Sequence, residues 1–315
     1  MRILFMGTPD FASSILDKIC ENTNDTVIGV LTQPDKPRGR GHSLAESAVK
    51  VLAKEKGIEV YQPETLKDNA FLPTLKKLDP ELIIVAAYGK ILPSYVLDYP
   101  RLGCINVHGS LLPKYRGAAP IQRAIIDGES VTGITIMKMA EGLDTGDMLL
   151  KNAVDITDDD NFETLHDKMV VCARKSIAEA IELIRNGKDV YEKQDDALAN
   201  YAQKITKEDC LIDFNTDAKA LHNRIRGLSP FPLAYSYLDS KMVKFTASTV
   251  IDADKENSPD TVGKIIGCDG GIIAVACKKG VFGITGVLPE GKKRMSAADF
   301  LRGQQNICGK SFCAQ

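Results

Sequence analysis

Residues 81–109, ELIIVAAYGKILPSYVLDYPRLGCINVHG, contain two aliphatic runs that decide the fold class. Glu81–Ala87 is aliphatic at nearly every position, and Gly103–Val107 repeats that pattern after a short helix-like stretch. Continuous aliphatic runs of this length are typical of strands that are buried on both faces. Such strands occur mainly in parallel sheets covered by helices, so this stretch predicts an α/β fold.

The segments on either side continue the alternation of strands and helices. The preceding chain predicts three strands, each followed by a helix, which are in order Arg2–Met6, Phe11–Cys20, Thr26–Thr32, Leu44–Lys56, Ile58–Tyr61 and Leu66–Leu78. The following chain predicts two strands, Ile134–Met139 and Asp147–Val154, and one long helix, Asn161–Asn186. This alternation predicts a doubly wound, mostly parallel, Rossmann-like sheet that binds ligands at the carboxyl ends of its strands.

The last third of the chain has a different pattern. Residues 188–207 are polar and weakly patterned, which indicates a linker. Beyond them, glycine separates short β-like runs at Met242–Ser248, Val262–Ile266, Ile272–Ala276 and Val281–Val287, as in a small barrel. We therefore predict an N-terminal domain over 1–187, a linker over 188–207, and a smaller, OB-like β-barrel domain over 208–315.

Composition and missing motifs exclude several classes of protein. The formal net charge is −2, the N-terminus resembles no secretory signal, and no apolar run is long enough to span a membrane. Eight cysteines form no CxxC pair, which argues against a zinc site and a secreted disulfide framework. We expect a cytoplasmic protein without a membrane partner. A P-loop, GxGxxG after a strand and GxSxG are all absent, so nucleotide cofactors and serine hydrolysis lose their main support.

His108 is the strongest candidate for chemistry among the four histidines. It ends a predicted buried strand, and Asn106, two residues earlier, points to the same side of an extended backbone. Asp144 lies in the loop EGLDTGDML at 141–149, which connects two predicted strands and can return to the same crevice. Asp147 is a weaker alternative, because it lies inside the second of those strands. The competing interpretation is that Asn106 and His108 only satisfy backbone groups at a strand end.

Together, a carboxamide, an imidazole and a carboxylate have the properties that acyl transfer needs: a polarising donor, a proton carrier and a group that orients the imidazole. One imidazole with one or two carboxylates makes a poor zinc site, so we expect no metal.

Five motifs carry a resemblance to a known family. They are GTPDFAS at 7–13, TQPDKPRGRG at 32–41, VAAYGKILP at 85–93, INVHGSLLPKYRGAAPIQ at 105–122 and GLDTGDML at 142–149. The chain resembles the methionyl-tRNA formyltransferase family from its first residues to GKKRMSAADFL at 291–301. The NVH, SLLP and DTGD elements are shared with other enzymes that use 10-formyltetrahydrofolate, whereas the TQPDKPRGRG loop and the C-terminal extension resemble the tRNA enzyme. One departure is Phe231, which stands where the family often has tryptophan.

The resemblance implies a Rossmann-like formyltransferase fold and transfer of a formyl group from 10-formyltetrahydrofolate to methionyl initiator tRNA by a monomer. It implies Asn106, His108 and Asp144 as catalytic residues. The folate-binding residues that it implies are Ser110, Leu111, Leu112, Pro113, Ala86, Tyr88 and Gly89. The tRNA contacts that it implies are Lys36, Arg38, Arg40, Lys292, Lys293 and Arg294, joined by Lys241, Lys244, Lys278 and Lys279 if these basic residues share one face.

Two kinds of rival function stay open at this point. The same N-terminal motifs suit an enzyme that formylates an amino sugar nucleotide or glycinamide ribonucleotide, or one that hydrolyses formyl-folate. A protein that binds RNA without catalysis is the rival of a different class, although the intact Asn106, His108 and Asp144 argue against it. A solvated loop is likewise the alternative for residues 33–41.

Overall fold

A computed structural model describes residues 1–38, 43–304 and 306–313. Within these ranges, no helix combines the length and the apolar character that crossing a membrane requires. The chain forms two compact units. The first contains residues 1–117, 132–154 and 167–201, and the second contains residues 118–131, 155–166 and 202–315.

The first two-thirds of the chain alternates strands with helices. In chain order these elements are β1 (Arg2–Gly7), α1 (Asp10–Cys20), β2 (Thr26–Leu31), β3 (Lys36–Arg38), β4 (Ser43–Ala45), α2 (Ala48–Glu55), β5 (Val60–Tyr61), α3 (Leu72–Leu78), β6 (Leu82–Ala86), α4 (Ser94–Leu97), β7 (Cys104–His108), β8 (Arg116–Gly117), α5 (Pro120–Ile126), β9 (Val131–Lys138), β10 (Met148–Asp155) and α6 (Phe162–Arg185). Every residue of β6 is buried, as its aliphatic sequence predicts.

Seven strands form one sheet in the order β10-β9-β7-β6-β1-β2-β5. From β7 to β5 the neighbouring strands are parallel, and β9 is antiparallel to β7. The chain first winds from β1 through β2 to β5 and then returns to the other side of β1 for β6 and β7. This arrangement confirms the doubly wound, mostly parallel sheet. Ligands of such sheets bind at the carboxyl ends of the strands near this reversal, where Gly7, Ala86 and His108 end their strands.

One predicted helix begins later than its apolar spacing indicates. The sequence predicts a helix from Leu44, but α2 begins at Ala48, because the Ser47 hydroxyl accepts a hydrogen bond from Lys50 N at 3.1 Å and caps the helix. Residues Ser43–Ala45 instead form β4, which pairs with β3 at Lys36–Arg38. The predicted loop of residues 33–41 therefore includes the first strand of a short hairpin.

The last third of the chain forms a separate antiparallel sheet. Its elements are β11 (Tyr201–Ala202), α7 (Ala218–Leu228), β12 (Ala234–Leu238), β13 (Lys241–Glu256), β14 (Ile265–Gly267), β15 (Ile273–Ala276), β16 (Lys279–Pro289), β17 (Met295–Ser296) and α8 (Ala297–Arg302). The strands pair in the order β12-β13-β16-β15-β14, with β17 on β16, while β11 pairs with β8. Sequence reasoning missed β12, which lies between cis prolines and a tight turn.

The C-terminal segment, residues 306–313, joins the two edges of this sheet. Gly309 N donates to Ile265 O, and Ile265 N donates to Lys310 O, both at 2.8 Å, next to β14. Cys313 pairs with Tyr237 on β12 at the opposite edge. The segment thereby connects β12 with β14 and gives the barrel-like closure that the sequence predicts.

Helix α5 belongs to the second unit, although it precedes β9 and β10 in the chain. It packs on α7 at Gly227, where a Cβ atom would lie 2.7 Å from Cγ1 of Ile126. The chain passes between the two units five times, at the boundaries of their six segments. The predicted division at residues 188–207 stays a prediction about which fragments fold independently.

Candidate active site

Asn106, His108 and Asp144 converge at the carboxyl end of β7. The Nδ2 atom of Asn106 lies 3.5 Å from Oδ1 of Asp144. The Nδ1 atom of His108 lies 3.6 Å from the other carboxylate oxygen, Oδ2. His108 is 5% exposed, whereas Asn106 and Asp144 are half-buried. The structure thus brings together the three side chains that the sequence analysis singled out, with the imidazole sheltered and the other two partly accessible.

The backbone at Tyr115 determines which nitrogen of His108 carries a proton. Nε2 of His108 lies 2.9 Å from the carbonyl oxygen of Tyr115. A carbonyl oxygen only accepts hydrogen bonds, so Nε2 is the donor and is protonated. Tyr115 has a φ of 60°, a left-handed conformation that is uncommon for residues other than glycine. In the neutral ring, Nδ1 is therefore unprotonated and faces the carboxylate of Asp144.

Two hydrogen bonds hold Asp144 in an unusual backbone conformation. Its φ is 54°, a conformation that costs on the order of 1–3 kcal/mol and persists only where surrounding contacts support it. Gly117 N donates to Oδ2 of Asp144 at 2.9 Å, and Nε2 of Gln194 donates to the Asp144 carbonyl oxygen at 2.8 Å. A Cβ atom on Gly146 would lie 1.8 Å from the Lys138 carbonyl oxygen, so the loop also requires glycine there.

Gln194 and Arg116 support this loop, and sequence reasoning missed both. Nε2 of Gln194 also donates to Gly146 O at 2.7 Å, while its Oε1 accepts from Nη2 of Arg116 at 2.8 Å. Arg116 is 3% exposed and donates to Asp196 at 2.7 Å. The arginine in the KYRG stretch was a possible signal for a buried cation. Gln194 and Asp196 lie in the predicted linker, where no local pattern marks them.

The predicted folate residues divide into buried and accessible groups. Ser110 is fully buried, and its hydroxyl donates to Lys114 O at 2.6 Å. Leu112 packs with two methionines, so it too is internal. Leu111 and Pro113 remain partly exposed.

The end of β6 shows the same division. Ala86 is buried, and the ring of Tyr88 packs in an apolar cluster, where burial raises the pKa of its hydroxyl to about 12. Gly89 is exposed, and Nε2 of Gln33 donates to the carbonyl oxygens of Tyr88 and Gly89 at 3.0 and 3.3 Å. Among the described residues, none accepts a hydrogen bond from the backbone N–H groups of Tyr88 and Gly89.

The structure describes only some of the residues that are predicted to contact tRNA. Arg40 lies outside the described residues, as does the Arg38 side chain. Lys36 is exposed and donates to Oε1 of Gln33 at 2.8 Å. In the second unit, Lys292, Lys293 and Arg294 are exposed in the turn after β16.

The other predicted lysines do not form one compact cluster. Residues 243 and 289 are paired at one end of the β13–β16 ladder, and residues 256 and 279 at the other. Lys241 and Lys244 therefore lie toward the end that carries the 292–294 turn, whereas Lys278 and Lys279 lie toward the opposite end. At about 3.3 Å per residue, the two ends are roughly 30–40 Å apart along the strands.

The remaining candidates for chemistry belong to other groups of residues. His166 and His222 are part of the second unit, and His42 lies outside the described ranges. Asp147 participates through its backbone, since its carbonyl oxygen accepts from Lys138 N at 2.8 Å. Across the described ranges, no three His, Cys, Asp or Glu side chains are grouped so that they could hold a metal ion. Two cavities of about 540 and 550 Å³ are lined by second-unit residues and include none of the three converging side chains.

Comparison with known proteins identifies the family. A family model described as formyl transferase matches residues 1–181, and one described as formyl transferase, C-terminal domain, matches residues 204–305. A curated relative, the methionyl-tRNA formyltransferase of Geotalea daltonii, is 46% identical over 98% of this chain and 97% of its own length.

Two solved structures share the fold. The N-formyltransferase from Helicobacter canadensis in complex with folinic acid and dTDP-3-aminofucose has a TM-score of 0.68 at 18% identity, covering 94% of this chain and 100% of that one. HypX from Aquifex aeolicus in complex with tetrahydrofolic acid has a TM-score of 0.62 at 17% identity, covering 99% of this chain and 51% of that one, so this chain spans about half of it. At such identities the likeness concerns the fold alone. The curated relative and the two family models establish more: the chain belongs to the methionyl-tRNA formyltransferase family.

Proposed function

We propose that this chain, acting as a cytoplasmic monomer, transfers the formyl group of 10-formyltetrahydrofolate to the free amino group of methionine on initiator tRNA. The observation that carries the proposal is the convergence of Asn106, His108 and Asp144 at the end of β7. A carboxamide donor, an imidazole and a carboxylate are what acyl transfer to an amine requires. The curated relative that matches almost the whole chain is named for this reaction.

Asn106 and His108 stabilise the negative charge that builds on the formyl oxygen. One hydrogen of Asn106 Nδ2 faces Asp144 across a long 3.5 Å contact, which leaves the other hydrogen for the formyl oxygen. When the imidazole takes up a second proton, that proton sits on Nδ1, because Nε2 already donates to Tyr115 O. The resulting positive charge lies beside Asn106 and favours the same developing oxyanion.

Asp144 removes the proton that the attacking amine must lose, directly or through one water molecule. Its Oδ2 atom and Nδ1 of His108 face each other at 3.6 Å. Through this contact, a proton taken up by Asp144 reaches Nδ1 of His108, which delivers it to the departing folate nitrogen.

The residues at the strand ends fit a folate. Bound 10-formyltetrahydrofolate supplies an activated formyl group, and its pteridine has an amide-like edge that backbone donors can recognise. The N–H groups of Tyr88 and Gly89 are suited to this edge, because no donated hydrogen bond is described for either. Leu111 and Pro113 provide partly exposed apolar surface. Ser110, Leu112 and Ala86 are buried, so they would not contact the folate through their side chains but would hold the backbone around it in place.

Transfer to tRNA is supported by the relatives and by the basic residues outside the site. Lys36 lies in β3, close in sequence to Arg40, and Gln33 links this part of the chain to the Tyr88–Gly89 loop. Lys292, Lys293 and Arg294 add exposed charge in the second unit. Such side chains bind phosphates without regard to sequence.

The acceptor is tested by offering the purified protein labelled 10-formyltetrahydrofolate with one acceptor at a time. Methionyl initiator tRNA, methionyl elongator tRNA, free methionine, a dTDP-amino sugar and glycinamide ribonucleotide form the set. We expect label on initiator tRNA with a clear preference over the others. Label on the amino sugar or the ribonucleotide, with none on tRNA, would replace the proposed acceptor.

Replacing Arg40 by Ala separates a tRNA acceptor from every small acceptor. We expect kcat/KM with charged initiator tRNA to fall by a factor that corresponds to roughly 1–3 kcal/mol, as for a lost charged contact to nucleic acid. Hydrolysis of formyl-folate without acceptor should stay unchanged, because Arg40 is not one of the proposed folate-binding residues. Steady-state kinetics measure both effects. In a separate salt series, the slope of the logarithm of the tRNA association constant against the logarithm of the salt concentration should be shallower by about one unit for the variant.

A matched control for this variant is Arg101→Ala, which removes an exposed arginine that pairs with Glu81. It should behave like the parent with tRNA. Equal tRNA kinetics for the parent and Arg40→Ala at every salt concentration would reduce residues 33–41 to a solvated connection.

A further inference from the structure

Cys268 and Cys308 form a thiol pair that the proposed reaction does not use. Their sulfur atoms lie 2.7 Å apart, although 40 residues separate them in the sequence. Both are free thiols, with Cys268 half-buried and Cys308 exposed. Since a disulfide has a sulfur–sulfur distance of about 2.05 Å, the two side chains need only a small movement to become bonded.

The pair lies where the C-terminal segment joins the second unit's sheet. Cys268 directly follows β14, and Cys308 directly precedes the residues that pair with β14. On either side of Cys308, Ile307 and Phe312 are 6% and 4% exposed, which anchors the segment in the core. A bond between the two sulfurs would therefore attach the segment covalently to the strand edge that it already covers.

We propose that Cys268 and Cys308 form a reversible disulfide that fastens the C-terminal segment, with a hydroperoxide as the oxidant. The Cys308 thiolate attacks the peroxide, its sulfur gains an oxygen as the O–O bond breaks, and one molecule of water or alcohol leaves. The Cys268 thiol then attacks the Cys308 sulfur, the S–S bond forms, the S–O bond breaks, and water leaves. Two thiols are oxidised by two electrons in total, and one peroxide is reduced.

The order of attack follows from the surroundings of the two thiols. Burial, followed by the hydrogen bond with Cys308, raises the pKa of Cys268 to about 12. Because the thiolate is the reactive form of cysteine, the raised pKa makes Cys268 the slower of the two to react with peroxide. Cys308 is exposed, so the oxidant reaches it first. Cys104, Cys210 and Cys277 are buried, so a soluble peroxide reaches them poorly.

Treating the full-length protein with a small excess of hydrogen peroxide tests this assignment. Remaining thiols are alkylated under denaturing conditions, counted by mass spectrometry and mapped by digestion without reductant. We expect two of the eight thiols to be lost, a linked peptide containing Cys268 and Cys308, and full recovery with dithiothreitol. The cross-link should also raise the Tm of the protein by roughly 5–10 °C, because it restricts the unfolded chain.

Two serine variants make the test specific. Cys308→Ser should lose the linked peptide and the rise in Tm, whereas Cys313→Ser, which removes the neighbouring exposed thiol, should retain both. Eight alkylated thiols after peroxide treatment, a disulfide that maps to another pair, or oxidation of Cys308 to a sulfinic acid without linkage would each overturn the proposal. These outcomes are read from the parent protein, so the proposal can fail even if Cys308→Ser folds poorly.

Discussion

Replacing Asp144 by Asn should lower kcat with charged initiator tRNA by at least about 100-fold, the scale of a lost general base. The amide oxygen of the new side chain can still accept the hydrogen bond from Gly117 N, now made to Oδ2 at 2.9 Å. The loop should therefore keep its conformation, and folate affinity and Tm should change little. Single-turnover kinetics, folate titration and calorimetry measure the three quantities.

Asp147→Asn is the matched control, because it removes a carboxylate three residues away and leaves the backbone carbonyl oxygen of Asp147, which accepts from Lys138 N, in place. We expect its kcat to equal that of the parent. A rate for Asp144→Asn within about threefold of the parent, well below the general-base scale, would show that Asp144 does not handle the proton.

Asn106→Ala should lower kcat by roughly 100- to 1,000-fold, corresponding to about 2.7–4 kcal/mol for the loss of one oxyanion donor. The loss should appear equally in kcat and in kcat/KM, since the donor acts on charge that exists only in the transition state. Asn106 is half-buried at the end of β7, and its side chain makes a long 3.5 Å contact with Asp144, so stability should be nearly unchanged.

The comparison variant for Asn106 is Asn186→Ala, which removes an exposed carboxamide just after α6. Its kinetics should match those of the parent. If Asn106→Ala instead raised KM for formyl-folate while leaving kcat unchanged, Asn106 would be a binding residue rather than an oxyanion donor.

The sheet could be predicted because the residues of a strand show by themselves whether that strand is buried. In β6 every side chain is aliphatic and every residue is buried, and in β7 the aliphatic Ile105 and Val107 are buried as well. The second unit was harder to predict, because contacts between segments that are distant in the chain decide which residues belong to it. The apolar face of α5 looks like that of any other helix in an α/β domain, yet its partner is α7, about a hundred residues later.

The same distinction explains what was predicted about the site. Asn106 and His108 could be singled out because strand ends in a parallel sheet collect ligands, and Asp144 because a glycine-bounded loop can return to them. Gln194 could not be found, since its function depends on a chain reversal that brings it to Asp144 O and Gly146 O. A glutamine in a polar segment has no local signal for such a contact.

The closing position of the C-terminal segment has a consequence for biosynthesis. Chains are translated from the N-terminus, and units generally fold in that order, but the second unit includes both α5 and Phe312, which is nearly two hundred residues later. While the ribosome adds the intervening residues, Ile121, Ala124 and Ile125, which are buried in the finished protein, have no α7 to cover them. The nascent chain must keep this apolar face from aggregating until α7 has emerged, and the sheet can close only after residues 309–313 have emerged as well.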